Sequence, residues 1–512
     1  MVIEPKYEKV TSSTRVKLGT TQAVIDVKLP TTDGLKVSKV LCANAKAVVL
    51  NAEVLDHEVK FGGNVAISVV YIDETNTING MDYTAEFNDK FDNLNQLSGT
   101  AIVSAGVVDV KSEPVDNEIK ISVIVELDID VITSEDSQVL VDVVDNSVFV
   151  QKENIQNTYF LGEARDGFEV TTDVEIKDSV QKILSVCISP MVEKVLENDN
   201  YFTVYGGLDI SVCYLTDGEM AKPRTHQFSL DFNHDIAIEG ATMDSIVQTM
   251  VNVDYSAVKI TTSLDSDSAL INMIVPVNCL GYVFNKQEIE IVSDVFSTEN
   301  YLNTAYNNLK YMQSCENASF VEKINGGFSI DENQLFVDDV LGTCCNNVIV
   351  ASSKVDDGNL VVEGVAYTTV VYFNKEFNSI NSVEVEMPFS ISKDLDDCSQ
   401  NYNVQTILSL GEVVAKCRRG KDIEISANLN IFSNLYKNIE ETVIESVEVL
   451  NEKESDELVL NIYIVKDGET IWDIAKFNNV SPDMVLEQNP EIELPLKAGD
   501  KLVIYKQKIV EF

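Results

Sequence analysis

Basic residues and histidines are scarce in this chain. Its 512 residues include 38 lysines and arginines against 83 aspartates and glutamates, which gives a net charge of -45 at pH 7. A protein this acidic repels nucleic acid and anionic membrane surfaces, so we expect neither nucleic-acid binding nor membrane insertion. None of the three histidines lies in a zinc-binding pattern, so we expect no metal site and no cofactor; a pair formed by His226 and His234 is the weaker alternative.

Recognised catalytic patterns are missing as well. The sequence has no G-x-S-x-G nucleophile motif, no phosphate-binding loop and no H-E-x-x-H zinc motif. Carboxylates are so numerous that no catalytic pair stands out among them. We therefore expect a protein that is not an enzyme.

Signals for export and membrane insertion are also lacking. The first residues do not show a basic region followed by an apolar run, and no stretch of 18 apolar residues occurs. The nine cysteines include no C-x-x-C pair. Cys42, Cys187, Cys213 and Cys279 lie inside apolar runs, which is typical of reduced core thiols, so we expect a cytoplasmic protein.

Most of the chain alternates β-branched and aromatic residues with polar ones, between Asp, Asn and Gly turns, as strands do. One pattern recurs three times. It begins with V-x-x-[VI]-L at Val37, Val180 and Val337, and a glycine follows 26, 26 and 27 residues later. A tyrosine lies eight residues after each glycine, and a phenylalanine follows in the next strand: Gly63, Tyr71 and Phe87; Gly206, Tyr214 and Phe232; Gly364, Tyr372 and Phe389.

This repeat predicts a mainly β fold with three tandem, sandwich-like domains and a small C-terminal domain. The predicted segments are an N-terminal strand or extension (1–29), three repeats (30–160, 161–305 and 306–437), an acidic linker (438–460) and the C-terminal domain (461–507). We expect each repeated tyrosine in a core with its hydroxyl at the rim. Each repeated glycine is expected to mark a bulge or a close approach of two backbones.

The C-terminal domain has a strand–helix–helix–strand pattern. A short β-type run from Tyr463 ends at the turn Asp467-Gly468, and Thr470 is suited to cap the helix that follows. Ser481 and Pro482 begin a second helix, which Asn489-Pro490 ends. A last strand runs from 502 to 505.

This pattern resembles a LysM domain, on the motifs D-G-E-T-I, W-x-I-A, V-S-P-x-x-V, N-P and G-D-K-L-V-I. The resemblance implies a shallow groove for N-acetylglucosamine-containing glycans such as peptidoglycan or chitin oligomers. Its walls are the loop before the first helix and the loop after the second, where exposed backbone groups and apolar side chains can meet a sugar or an extended peptide. The alternative is that these loops only close the fold. The groove residues are Asp467, Gly468, Glu469, Thr470, Ile471, Gln488, Asn489, Pro490, Ile492 and Leu494.

The three repeats resemble the SPOCS domain of spore-coat and sporulation proteins. The resemblance rests on the V-x-x-[VI]-L start and the G-x-x-x-[IT]-[ST]-V-x-Y strand. Together with one LysM domain it implies a scaffold for spore coat assembly, located on the mother-cell side of the forespore. The implied partner is stage IV sporulation protein A, the ATPase of the coat basement layer. A peptidoglycan-binding protein of the cortex or wall is the alternative.

Overall fold

Strands make up almost the whole protein. The computed structural model describes residues 3–31, 34–93, 95–96, 98–218, 221–264, 268–314, 317–330, 336–395, 402–453 and 459–506. Strands account for 79% of the chain and helices for 4%; among the described residues both α-helices belong to the C-terminal domain, and a short 3-10 helix (Tyr255–Ala257) lies in the second repeat. The predicted fold class is therefore confirmed.

The strands fall into three similar groups and a final pair. The first group is β1 (Glu4–Pro30), β2 (Val37–Leu55), β3 (Glu58–Asp73), β4 (Ile78–Asp92), β5 (Thr100–Val115) and β6 (Glu118–Val144). The second is β7 (Val148–Ile176), β8 (Val180–Asn198), β9 (Tyr201–Thr216), β10 (Pro223–Ala237), β11 (Ile246–Val253), β12 (Lys259–Leu264) and β13 (Ala269–Ser297). The third is β14 (Asn300–Ser314), β15 (Ala318–Ser329), β16 (Asp339–Asp356), β17 (Asn359–Asn374), β18 (Ser379–Asp394), β19 (Asn403–Arg418) and β20 (Asp422–Glu452). The C-terminal domain consists of β21 (Val459–Ile464), α1 (Ile471–Asn478), α2 (Pro482–Gln488) and β22 (Lys501–Lys506).

Each group folds as a two-layer sandwich. In the first repeat the outer sheet has the order β2-β3-β4 and the inner sheet the order β1-β6-β5. The second repeat has β8-β9-β10 over β13 flanked by β7, β11 and β12, and the third has β16-β17-β18 over β20 flanked by β14, β15 and β19. Alternate residues of β6, from Ile119 to Val131, are almost fully buried between the two layers, because successive side chains of a strand point to opposite faces.

The repeated glycine and phenylalanine form one structural unit in each outer sheet. Gly206 lies directly opposite Phe232 on the neighbouring strand, and a Cβ on Gly206 would come within 2.7 Å of the phenyl ring and 2.3 Å of the Met191 carbonyl. Gly63 with Phe87 and Gly364 with Phe389 have the same arrangement. The glycine is therefore required because a Cβ would collide with both the facing backbone carbonyl and the ring, and the carbonyl contact is a close approach of two backbones.

The repeated tyrosines also lie at equivalent places. Tyr71 is opposite Val40, Tyr214 opposite Ile183, and Tyr372 opposite Val340, the fourth residue of the repeated start motif in each case. All three tyrosines are buried. The hydroxyl of Tyr214 donates to Asp178 at 2.8 Å.

The inner-sheet strands extend past their sandwiches and meet in a central stalk. The stalk consists of three two-stranded ribbons: residues 4–14 of β1 with 133–144 of β6, 148–160 of β7 with 284–297 of β13, and β14 with 436–452 of β20. One core joins Leu140, Val292 and Ile444, one residue from each ribbon, and a second joins Val139, Ile291 and Val443. The three repeats thus share hydrophobic cores that none completes alone.

The three outer sheets close a ring at the other end of the molecule. Lys39 of the first repeat donates to Asn381 of the third at 2.9 Å, and Lys182 of the second donates to Asn79 of the first at 2.7 Å. At the third junction Asp339 occupies the place of the lysine and pairs with Arg224 at 3.2 Å. The repeats are therefore arranged with pseudo-threefold symmetry.

Arg15 joins all three repeats where the stalk begins. Its side chain is fully buried, and its guanidinium donates to Asp130 at 2.6 and 2.8 Å. It also donates to Gln248 of the second repeat and to Gln405 of the third, the latter at 2.8 Å. The guanidinium lies over the ring of Tyr436 at 4.6 Å. We expect a buried cation with this many partners to favour this one arrangement of the repeats.

The structure corrects the predicted segments in three places. Residues 438–452 of the predicted linker are part of β20 and pair with β14, and 454–458 lie outside the described residues. The predicted N-terminal strand or extension forms β1 (Glu4–Pro30), but it is not a separate segment, because it pairs along its length with β6 and belongs to the first repeat. The predicted boundaries at 160 and 305 fall inside β7 and β14, and the turns at 145–147 and 298–299 separate the repeats instead. Long-range strand pairing, which local sequence does not reveal, is the cause in each case.

Candidate functional site

The C-terminal domain forms as the sequence predicted. Thr470 caps α1: its hydroxyl accepts from the backbone N–H of Asp473, whose carboxylate in turn accepts from the N–H of Thr470. Ser481 caps α2 in front of Pro482, and that helix ends at Gln488 before Asn489-Pro490. Both helices pack on one face of β21 and β22, around the buried side chains of Ile474, Ala475, Val485, Leu502 and Ile504.

This domain is docked on the stalk through α1. The indole N–H of Trp472 donates to Asp294 of β13 at 2.8 Å, and Lys476 contacts both oxygens of the same carboxylate at 2.7 Å. The Trp472 ring meets Phe296 edge-on, with the ring centroids 4.9 Å apart. Lys453, just before the domain, donates to the backbone carbonyl of Ser297 and to the side chain of Asn479. The domain therefore has a defined position relative to the repeats.

The electrostatics of Asp294 favour this docking. Burial alone would raise the pKa of its carboxyl, but the hydrogen bonds from Lys476 and Trp472 outweigh burial and lower the pKa below its usual value. The carboxylate is accordingly ionised whenever the domain is docked near neutral pH.

The first wall of the predicted groove consists of the loop before α1. Asp467 and Gly468 are exposed there. Gly468 has a φ of 79°, a left-handed backbone conformation that glycine adopts easily and that this turn requires. Glu469 accepts hydrogen bonds from the Lys466 backbone N–H at 2.8 Å and from the Tyr463 hydroxyl at 2.7 Å, and these lower the pKa of its carboxyl. Thr470 is the helix cap, and Ile471 packs against the core. Most side chains of this wall thus have structural roles.

The second wall consists of Gln488, the last residue of α2, and the loop that follows it. The side-chain amides of Gln488 and Asn489 bond to the backbone of β22, at Tyr505 and Val503. Ile492 is half-buried against the core. Pro490 and Leu494 are exposed, and 61% of Leu494 is accessible.

The second predicted wall exposes the apolar side chains of Pro490 and Leu494, and the first exposes the carboxylate of Asp467. Such a surface can contact the faces of sugar rings or the side chains of an extended peptide. All three residues are exposed in the docked domain. Whether they bind a ligand stays a prediction.

Side chains able to bind a metal are dispersed over the part of the chain that the structure describes. Its residues include no group of three or more His, Cys, Asp or Glu side chains able to hold a metal ion. His234 stacks on Phe168 and bonds to Asp166 at 2.8 Å, while His226 packs beside Phe228. Burial raises the pKa of the Cys213 thiol to about 12, so that thiol is unreactive. Neither helix is long and apolar enough for a membrane span, as far as the described residues go.

The docking residues on the stalk were missed by sequence reasoning. Asp294 and Phe296 lie in a long β-type run, where one acid among many carries no signal. The one usable clue was Trp472: it is the single tryptophan of the chain, and its indole N–H requires a partner when buried.

Comparisons with known proteins agree with this organisation. A family model described as SipL, SPOCS domain matches residues 337–417, which lie in the third repeat. The LysM domain model matches residues 463–504. No curated protein and no solved structure gave a match. The chain thus carries a SipL-type SPOCS domain in its third repeat and a C-terminal LysM domain, and the resemblance predicted from the sequence is confirmed for these two regions. Both are non-catalytic binding domains, and they support a sporulation-related role with a capacity for glycan binding.

Proposed function

We propose that this protein is a non-enzymatic scaffold of endospore coat assembly. In this proposal it connects the coat basement layer to the forespore surface from the mother-cell side, through contacts of its LysM and SPOCS domains. Its partner in the basement layer is an ATPase similar to stage IV sporulation protein A. The combination of SPOCS and LysM domains in one chain supports the proposal.

The docked LysM domain is the observation that favours a scaffold most. Trp472 and Lys476 bond α1 to Asp294, whereas the groove residues Asp467 and Leu494 are exposed. A scaffold needs binding surfaces held in a fixed geometry, because a preorganised surface loses less entropy on binding. A flexibly tethered glycan anchor has no such need.

Peptidoglycan or chitin-type glycan binding at the cortex or wall is the second candidate, and the LysM match favours it. The two candidate functions differ in what the groove binds: a partner protein or a glycan. Changing Ile471 or Ile492 would disturb the core, since both pack against it. The exposed Leu494 and Asp467 are better positions, so we choose the variant Asp467→Lys/Leu494→Ser.

The test measures two affinities for the full chain. One is capture of purified stage IV sporulation protein A, and the other is calorimetric binding of chitin oligomers. We expect the double variant to lose at least tenfold in partner affinity while Phe477→Ser, which changes an exposed apolar residue of α1 outside the groove, keeps it. Unchanged capture by the double variant would refute the groove assignment. Micromolar or tighter chitin binding by the parent, lost in the double variant, would favour the glycan candidate.

A further inference from the structure

The two-stranded sheet of the LysM domain has one edge that is closed by side chains. Gln488 donates to the carbonyl of Tyr505 at 2.6 Å and accepts from its N–H at 2.7 Å. Asn489 does the same for Val503, at 2.8 and 2.7 Å. These two amides imitate a neighbouring strand, so the outer edge of β22 cannot pair with another chain.

The opposite edge, on β21, has no such cover among the described residues. The backbone groups of Val503 and Tyr505 point away from β21. The pairs Val503–Ile462 and Tyr505–Leu460 are therefore the non-hydrogen-bonded pairs of the ladder. The N–H and C=O groups of Leu460 and Ile462 consequently point outward along the free edge, and those of Ile464 follow the same alternation. No described residue bonds to them. This edge is an open template for a strand.

The side chains along this edge form an exposed apolar face. Leu460, Ile462 and Ile464 are 70%, 63% and 58% accessible, and Val503 and Tyr505 stand beside them on the same face. The opposite face of the sheet is covered by the two helices. A row of exposed aliphatic side chains beside unpaired backbone groups is the combination that recognition by strand addition uses.

We propose that β21 accepts an extended segment of a partner protein as a third strand of the LysM sheet. The segment has alternating aliphatic and basic side chains. Its aliphatic side chains continue the exposed apolar face, and its lysines or arginines point to the helix side of the sheet. This surface is separate from the groove, so the inference deepens the scaffold role but does not depend on what the groove binds.

Charge decides between such a partner and a second copy of this chain. On the helix side of β21, Tyr463 donates a hydrogen bond to Glu469, and this bond raises the pKa of the Tyr463 hydroxyl. The nearby charges of Glu469 and Asp473 raise it further. Basic side chains of an added strand would meet these carboxylates. A second copy would bring the same acids and a net charge of -45 against its equal. Complementary charge therefore favours a basic partner.

The test uses a defined probe, a fluorescein-labelled seven-residue peptide of alternating lysine and valine, with the full chain in fluorescence anisotropy. A second probe has the same sequence with N-methyl groups on the amides that would face β21. It keeps the charge and the side chains of the first probe but cannot form strand hydrogen bonds. We expect the first probe to bind at least tenfold more tightly than the second.

Two variants with a matched control identify the surface. Ile462→Pro removes an outward N–H without breaking the ladder to β22, and Ile462→Lys places a positive charge on the apolar face. Val24→Lys is the control, because Val24 in β1 is also 63% accessible. We expect both Ile462 variants to lose at least tenfold in affinity for the first probe and Val24→Lys to keep it.

Three results would overturn the proposal. In the first, the two probes bind equally well, which indicates charge attraction alone. In the second, Ile462→Pro binds the first probe as tightly as the parent does. In the third, the parent does not bind the first probe detectably. Sedimentation of the parent as a dimer that Ile462→Pro converts to a monomer would assign the edge to a second copy instead. The groove variant Asp467→Lys/Leu494→Ser should bind the first probe like the parent, so failure here is distinct from failure of the groove assignment.

Discussion

Replacing Arg15 tests whether one buried cation holds the three repeats together. In Arg15→Leu the carboxylate of Asp130, whose side chain is 8% exposed, loses its cation, and the amides of Gln248 and Gln405 lose a donor. Removing one partner of a buried ion pair costs about 3–5 kcal/mol, mainly because the remaining charge is left uncompensated. The contact with the ring of Tyr436 is lost as well. We expect a loss of about 3–5 kcal/mol in the free energy of unfolding.

The assay is urea unfolding followed by far-UV circular dichroism. With a slope of about 3 kcal/mol per molar urea, the expected loss lowers the midpoint by roughly 1–2 M. Lys17→Leu is the matched control: Lys17 lies on the same strand and pairs with Asp128 at 2.8 Å, but both side chains are about half exposed. A pair of that kind contributes about 0–1 kcal/mol.

A third variant separates the charge from the packing. Arg15→Leu/Asp130→Leu removes both charges, so it should be more stable than Arg15→Leu alone despite carrying one more change. If Arg15→Leu unfolds at the same urea concentration as Lys17→Leu, the reasoning is wrong, and the stalk holds the repeats together without this residue. If the double variant is less stable than the single one, packing rather than charge is the main contribution of Arg15.

Two further outcomes follow from the fold. Gly206→Ala should lower the free energy of unfolding by about 2 kcal/mol or more, because the new Cβ would collide with the Met191 carbonyl. Gly106→Ala is the control: the space around Gly106 is open, so this change should leave the thermal midpoint nearly unchanged. In Asp294→Asn the emission of Trp472, the only tryptophan, should shift to longer wavelength as the LysM domain undocks; an unshifted spectrum would contradict the docking. Docking lowers the pKa of Asp294, so the ionised carboxylate stabilises the docked state fully above about pH 4. This stabilisation is lost as the pH falls through the pKa of the docked state. The parent should therefore show the same shift of Trp472 emission only in acid.

The sequence predicted what local chemistry determines. Thr470 and Ser481 were recognisable as helix caps because capping depends on residues three positions apart. The repeated glycines were recognisable by their fixed distance from tyrosine, although the phenylalanine that covers each of them came from the next strand. The stalk was not predictable in this way, since Val10 and Ser137 pair across more than a hundred residues. The docking of Trp472 on Asp294 is similarly remote in sequence.

The roles of the groove side chains were also not predictable from local sequence. The residues proposed for it lie in the loop before α1, in the loop after α2 and at the adjoining helix ends, and whether they bind a ligand stays a prediction. The sequence did not distinguish side chains that hold the fold from those available to a ligand. Gln488 and Asn489 have the polar character of a sugar-binding pair, yet their amides are bonded to β22. Only the register of that strand reveals their structural role.

The shared stalk has a consequence for how this protein is made. Domains tend to fold in order during synthesis, so the first repeat can complete its sandwich while Val443 and Ile444 are still far from emerging. Until they arrive, its ribbon exposes Leu140 and Val139, and Arg15 lacks Gln405. The nascent chain therefore exposes the apolar side chains of this ribbon for the time needed to translate some 300 further residues, at about 5–20 residues per second. We expect truncated chains that end after the first or second repeat to depend on chaperones and to aggregate, while the full chain closes on itself and does not.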